Sequence, residues 1–374
     1  MSQTKVQLVE GKSDQTITGS TLTTTTLNAA NLNSGAFSNR NLIINGEMAV
    51  AQRGTAEVTA ANDTNTYRAD RFKFAENTAG TVAMSIQDGT GEFAKCLKLR
   101  VTGTDTSVAN IDRSAISYVI EDLDAKQLQY GTANAKSVTL TFWVRSNAAQ
   151  TYCINVHNSG TNNRTYIAEY TISSADTWEK KTLTIPGDTT GTWTHIAVRW
   201  VLTAGTDYQG SAGWQAWSGS GGLEMATSNQ YNWMGATNDF HLTGVQLEVG
   251  DTATEFEHRS YGDELAKCQR YYQEIHGGYG AGAAESDEII YCTTYPVKMR
   301  ATPSVSQTAA MTFEEPSDAD RNQSSTSVSI RSSRCSDTGC VVVLGNYSSI
   351  QKDQLYFSNC NQNSGGKVTY SAEL

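Results

Sequence analysis

Six aromatic residues stand where they could do chemistry: Trp143, Trp193, Trp214, Trp217, Tyr231 and Trp233. A flat ring can stack on the apolar face of a sugar, with Asn, Gln or Asp beside it taking the hydroxyls. Trp143 and Trp193 fall on the polar faces of two alternating segments, VTLTFWVR and WTHIAVRWVL. The other four lie in GTDYQGSAGWQAWSGSGGLEMATSNQYNWMG, residues 205–235, a stretch without period that reads as a loop. Loops that long in a compact domain are usually functional or mobile. Two uses fit the rings. They form a platform for a glycan, or they staple the loop to the sheet or fill a contact between copies.

Catalytic signatures are missing. There is no HExxH, no GxSxG and no P-loop, and the five histidines are dispersed. GGYGAG at 277–282 spaces its glycines as GxGxG and lacks a strand–turn–helix context, so it reads as linker. A glycosidase needs two carboxylates set about 5 Å or roughly 6.5–9.5 Å apart. Carboxylates are plentiful, but nothing marks such a pair. No enzyme activity, cofactor or metal is expected. The seven cysteines include no CxxC and no zinc spacing. They read as small interior thiols, although Cys335 and Cys340 bracket the turn SDTG and could pair across a hairpin in oxidising surroundings.

The elements that must position these residues are strands. The chain is Thr-rich, with 31 glycines, 4 prolines and only 18% charged residues. β-branched Thr suits a pleated, half-wet surface and Gly suits turns, so the bias is all-β. From Asn41, apolar residues alternate. Val138, Leu140, Phe142 and Val144 share one face of their strand, and Ile196, Val198, Trp200 and Leu202 share one face of theirs. Strands at this spacing, joined by Gly, Asn, Asp and Ser turns, predict an antiparallel sandwich over 41–260. In YGDELAKCQRYYQEI, residues 261–275, the spacing of Leu265, Cys268, Tyr272 and Ile275 predicts a helix with a narrow stripe. That stripe either packs on a neighbouring domain or forms an axial bundle between copies. A linker is expected at 276–286, then a smaller β-domain at 287–374.

Residues 1–40 differ. Ile17, Leu22, Leu27, Leu32 and Phe37 recur with a strict period of five, separated by small polar residues. That is neither a strand nor a helix period; it fits short β-segments that turn a corner every five residues. One chain supplies too few units to bury such a core, since repeats need neighbours. Several copies around one axis would suffice. A homotrimer is therefore expected, held at this shaft segment and at the 261–275 helix.

The net charge is −10. No region carries the basic excess that phosphate backbones demand, so nucleic acid is not an expected partner. No 18-residue apolar run is present, so no membrane insertion is expected. MSQTKVQLVEGKSDQ lacks the apolar stretch of a signal peptide, which points to synthesis in a cytosol.

NRNLIINGEMAVAQRG (39–54) followed by YRADRF (67–72) resembles the opening of a domain found in bacteriophage tail-fibre and related virion proteins. That domain closes with a strand like FHLTGVQLEVG (240–250) and a segment like TEFEHRSYGDELAKCQRYYQ (254–273). YPVKMRATPSV and the terminal SAEL are also similar to that family's C-terminal region. The resemblance covers about 41–305 well and the far C-terminus loosely. It implies a jelly roll similar to carbohydrate-binding modules, with first strand Asn41–Met48 and last strand Phe240–Val249. It further implies a trimeric tail fibre that binds host cell-surface glycan and joins other virion proteins through residues 1–40. A structural or decoration protein of capsid, neck or tail is the alternative, and a polysaccharide-degrading tailspike a third.

Overall fold

The computed structural model describes residues 39–62, 64–158, 164–216, 224–276, 281–285, 288–307, 311–315, 318–325, 327–330, 334–345, 355–358 and 367–374. The period-five residues Ile17, Leu22, Leu27, Leu32 and Phe37 lie outside them, as does Trp217. Among the described residues, thirteen strands precede residue 250: β1 (Val58–Thr59), β2 (Thr66–Tyr67), β3 (Lys73–Asn77), β4 (Thr81–Thr90), β5 (Phe93–Gly103), β6 (Arg113–Ile120), β7 (Val138–Ser146), β8 (Thr151–Asn158), β9 (Arg164–Thr171), β10 (Glu179–Ile185), β11 (Ile196–Ala204), β12 (Gly213–Ala216) and β13 (Asp239–Val249). They form two antiparallel sheets, in the orders β1-β4-β5-β13-β7-β10 and β12-β9-β8-β11-β6-β3-β2. The chain is an all-β sandwich of jelly-roll type. Val138, Leu140, Phe142 and Val144 from one sheet meet Ile196, Val198, Trp200 and Leu202 from the other in one buried cluster. Phe142 packs edge-on against Trp200 with centroids 5.8 Å apart. Alternation thus placed the core, as period-two burial requires.

The stretch expected as a first strand, Asn41–Met48, is not one. It follows β13, but Asn45 and Met48 have φ of 61° and 58°, left-handed values that a strand cannot hold. Two backbone bonds to β13 remain, Leu42 N to Leu247 O and Val245 N to Gly46 O, and side chains supply the rest. Asn41 Oδ1 accepts from the Ile43 and Leu247 amides, both at 3.0 Å, and its Nδ2 donates to Val245 O at 3.0 Å. Asn45 Nδ2 donates to Val50 O and Asp70 O. A Cβ on Gly46 would lie 2.1 Å from Val245 O, so that position requires glycine.

The motif residues beyond it hold the second half of the chain. Arg71, buried and with φ of 73°, pairs with Glu373 at 2.7 Å and donates to Val119 O. Its guanidinium lies 3.4 Å from the centre of the Tyr271 ring, and that of Arg53 lies 3.4 Å from the centre of Tyr272. Arg53 also reaches Asp70 at 3.5 Å and Glu373 at 3.3 Å. Gln52 binds the Asp70 carboxylate and Tyr272 O.

These stacks correct the expected helix over 261–275. The helix spans Tyr261–Gln269, with Ser260 accepting the Asp263 amide at its start, and Tyr272–His276 is a strand. The stripe of Leu265, Cys268, Tyr272 and Ile275 is therefore split. Cys268 is buried under the helix, Tyr272 lies against Arg53, and Ile275 packs on the C-terminal core. Tyr272–His276 pairs with Lys367–Ser371, which also pairs with Ser304–Gln307. The expected linker at 276–286 is interrupted as well: Ala281–Glu285 pairs with Glu288–Thr294 inside a seven-stranded sheet. Cys335 and Cys340 are disulfide-bonded across their turn.

Burial lifts the Asp70 carboxyl to about 6, against the opposing pull of Arg53 and Gln52. Because this value is raised on folding, the stabilising contribution exists below the unfolded value and is lost as pH climbs through the folded one. Wild-type stability relative to Asp70→Asn should fall by up to about 2–3 kcal/mol between roughly pH 4 and 7, then level off. Urea titrations of both proteins across that range check it, and a difference independent of pH would refute the assignment.

Candidate functional site

The structure separates the six aromatic candidates. Trp233 is fully buried in the sandwich core, its Nε1 donating to Asp239 O at 3.2 Å. Tyr231 packs edge-on against Tyr152 at 6.0 Å, and its hydroxyl accepts from Asn238 Nδ2 at 3.3 Å. Trp143 is half-buried on the outer face of the other sheet, beside Gly244. None of these three joins a shared platform. The long stretch is also partly structured: β12 pairs with β9, and Trp233–Gly235 forms a helical turn.

Trp193 and Trp214 do meet, with ring centroids 5.5 Å apart and nearly perpendicular planes. What joins them is Tyr130, which lies edge-on to both, at 5.0 Å and 5.8 Å. Tyr166 completes the cluster at 5.1 Å from Trp214. Both indoles are anchored to the backbone, Trp193 Nε1 on Thr190 O at 3.0 Å and Trp214 Nε1 on Pro186 O at 2.8 Å. Beneath them Arg164 and Asp188 pair through two bonds of 2.6 and 2.9 Å. Tyr130 went unnoticed in the sequence because DLDAKQLQYGTANAK has neither period; it follows a short helix, Asp122–Ala125, and a helical turn, Lys126–Leu128.

Two rings of this cluster, Tyr130 and Trp193, wall a cavity of about 470 Å³ at one end of the sandwich. Tyr130, Trp193 and Ile196 give it apolar surface; Asp122, Lys126, Gln129, Thr132 and Asn134 give it polar surface. Two features of the backbone fix its wall. Gln129 and Gly131 have φ of 55° and 80°, and a Cβ on Gly131 would lie 2.2 Å from Gly191 O. The Gly131 amide donates to Asp188 O at 2.8 Å, so the two loops are held edge to edge. Asp122 pairs with Lys126 at 3.5 Å. The Tyr130 hydroxyl is buried without a hydrogen-bond partner among the described residues. Burial first, and Asp188 second, push its pKa upward, so it stays a proton donor. A ring wall and a rim of amide and hydroxyl groups suit a neutral polyol. Among the described residues no three His, Cys, Asp or Glu side chains gather as metal ligands do.

No family model and no curated protein matches this chain. Solved structures do. The enzymatically active domain of tailspike protein 4 of bacteriophage CBA120 aligns at 9% identity and a TM-score of 0.30, over 56% of this chain and 22% of that one. The family 11 carbohydrate-binding module of the cellulase Lic26A-Cel5E of Clostridium thermocellum aligns at 13% identity and 0.29, over 55% of this chain and 99% of its own. TmCBM61, solved with β-1,4-galactotriose, aligns at 10% identity and 0.27, over 56% and 99%. No residue's role is carried over from them.

The burial difference between the two indoles is measurable. Trp233→Ala should cost about 3–5 kcal/mol in denaturant unfolding, as a fully buried aromatic does. Trp193→Ala, from a half-exposed wall, should cost well under half of that. Equal losses would contradict the placement.

Proposed function

We propose that this chain is a fibre-type virion component whose sandwich binds a neutral host cell-surface glycan in the end cavity. The observation behind this reading is the cavity lined by the Trp193 and Tyr130 rings together with Gln129, Thr132 and Asn134. The order of the motifs from Asn41 to Tyr272 supports the virion assignment by resemblance. Binding without turnover is part of the proposal. Among the described residues lining the cavity Asp122 is the one carboxylate, and it pairs with Lys126 at 3.5 Å, whereas glycoside cleavage employs two carboxylates.

A spacer or decoration role is the second reading. It is favoured by the anchoring of both indole N–H groups and the edge-to-face packing of the rings, which is what a purely mechanical staple would need. Trimerisation through residues 1–40, attachment to other virion proteins through the same segment, and placement on the virion belong to the proposal. Light scattering of the full chain should then return about three monomer masses.

The decisive experiment is adsorption. Purified wild-type chain should bind host cells and a subset of neutral oligosaccharides on a glycan array, releasing no reducing ends. Trp193→Ala and Gln129→Ala should each weaken binding about tenfold, roughly the worth of one stacked ring or a few hydrogen bonds. Wild-type protein that binds neither cells nor array would leave the spacer reading in place.

A further inference from the structure

The turn inside Asn41–Met48 holds the chain's one Asn-Gly pair, Asn45–Gly46. Asn-Gly is the dipeptide most prone to cyclise. Glycine has no side chain to shield its amide nitrogen, and its backbone freedom lets that nitrogen swing toward the preceding side-chain amide. An exposed loop would avoid the reaction by changing either residue. This turn has no such option. Gly46 must lack a Cβ, which would lie 2.1 Å from Val245 O. Asn45 is fully buried at φ of 61°, a left-handed value that asparagine tolerates better than most residues. Its Nδ2 donates to Val50 O at 2.8 Å and to Asp70 O at 3.0 Å, and its Oδ1 accepts the Val50 amide at 2.9 Å. Two donors and an acceptor in so small a space call for a short primary amide.

In the folded chain the pair is held away from reaction. The three side-chain bonds pin the Asn45 amide plane, and the Glu264 carboxylate accepts the Asn45 N–H. The Gly46 carbonyl accepts the Val245 amide at 2.8 Å, which fixes the other side of the turn. Asn45 and Asp70 have no exposed surface, so the water that hydrolysis consumes is kept out as well. The groups that hold the turn come from distant parts of the chain: Val50 and Asp70 follow it, Val245 belongs to β13, and Glu264 to the helix Tyr261–Gln269. Loss of any of these contacts loosens the restraint on Asn45.

We propose that Asn45–Gly46 is a self-modification site, silent in the folded chain and reactive once the turn comes undone. The Gly46 amide nitrogen, on losing its proton, attacks Asn45 Cγ. The new N–C bond closes a succinimide ring, and Nδ2 takes up a proton and leaves as ammonia. Water then opens the ring at either carbonyl, giving aspartate or isoaspartate; no oxidant or cofactor takes part. Neither product fits the fold. A carboxylate at position 45 replaces two donors by an oxygen that faces Val50 O and Asp70 O, and its charge has no water to solvate it. Isoaspartate in addition lengthens the backbone ahead of Gly46, where the contact with Val245 O leaves no room. A chain that stays open long enough therefore loses the ability to close. The inference is independent of the glycan reading.

The test is incubation of the full chain in mildly alkaline buffer, with and without guanidinium chloride, followed by peptide mass spectrometry that resolves asparaginyl, aspartyl and isoaspartyl forms. Asn45 should convert readily in denaturant and at least about tenfold more slowly in the folded chain, because reaction there requires the turn to open first. Equal rates in the two conditions would overturn the proposal, as would no conversion in denaturant. Chains incubated in denaturant are then diluted to refold and separated by size. Molecules carrying aspartate or isoaspartate at position 45 should be depleted from the native fraction, and their recovery in full would also overturn it. Should the chain not refold from denaturant, Asn45→Asp made directly supplies the same information. Its melting temperature should lie well below that of the wild type, and equal melting would contradict the claim that the product does not fit.

Discussion

A guanidinium with no access to water must be paired from within, and Arg71 is such a group. Its side chain is 2% exposed, and its ion-pair partner, Glu373, lies three hundred residues further along the chain. Removing one member of a buried pair typically costs about 3–5 kcal/mol, because the remaining charge stays desolvated. The sandwich therefore reaches its low-energy state only with the segment around Glu373 in place. The same carboxylate holds Arg53, and the two arginines stack on the consecutive tyrosines 271 and 272. Tyr271 lies in the turn after the helix and Tyr272 opens the strand, so the two rings reach different arginines. The Ala372 amide then bonds Tyr271 O at 2.7 Å, closing the join.

Much of this was legible in the residue pattern, for a physical reason. A sandwich core is set by period two, and VTLTFWVR and WTHIAVRWVL advertise it without help from distant contacts. The stripe from Leu265 to Ile275 misled because spacings of 3, 4 and 3 are compatible with a helix, while the outcome depended on Arg53 and Arg71, two hundred residues earlier. Asn41–Met48 misled for a related reason: beside two backbone bonds to β13, asparagine side chains made bonds that a regular strand would have made with its backbone. The motifs were recognisable as letters, but their work as a docking surface became visible only in three dimensions.

The site was half legible. Trp193 was identifiable as a ring on the polar face of its segment and Trp214 as a ring in the long loop, yet no local signal linked them to Tyr130, because two loops from different parts of the chain are brought together by Gly131 and Gly191. Trp233 looked equivalent in sequence and is a core residue. The end cavity depends on the second sheet keeping its shape, and strand β3 of that sheet is bound to the C-terminal segment through Lys73 and Leu374.

The direct measurement of that dependence is hydrogen exchange by mass spectrometry on wild type and Arg71→Met, which keeps the bulk and removes the charge. Amides of Lys367–Ser371 and Tyr272–His276 should lose much of their protection in the variant while β7 and β11 keep theirs. Unchanged protection at Lys367–Ser371 would contradict the claim that the buried arginine fastens the C-terminal strand to the sandwich.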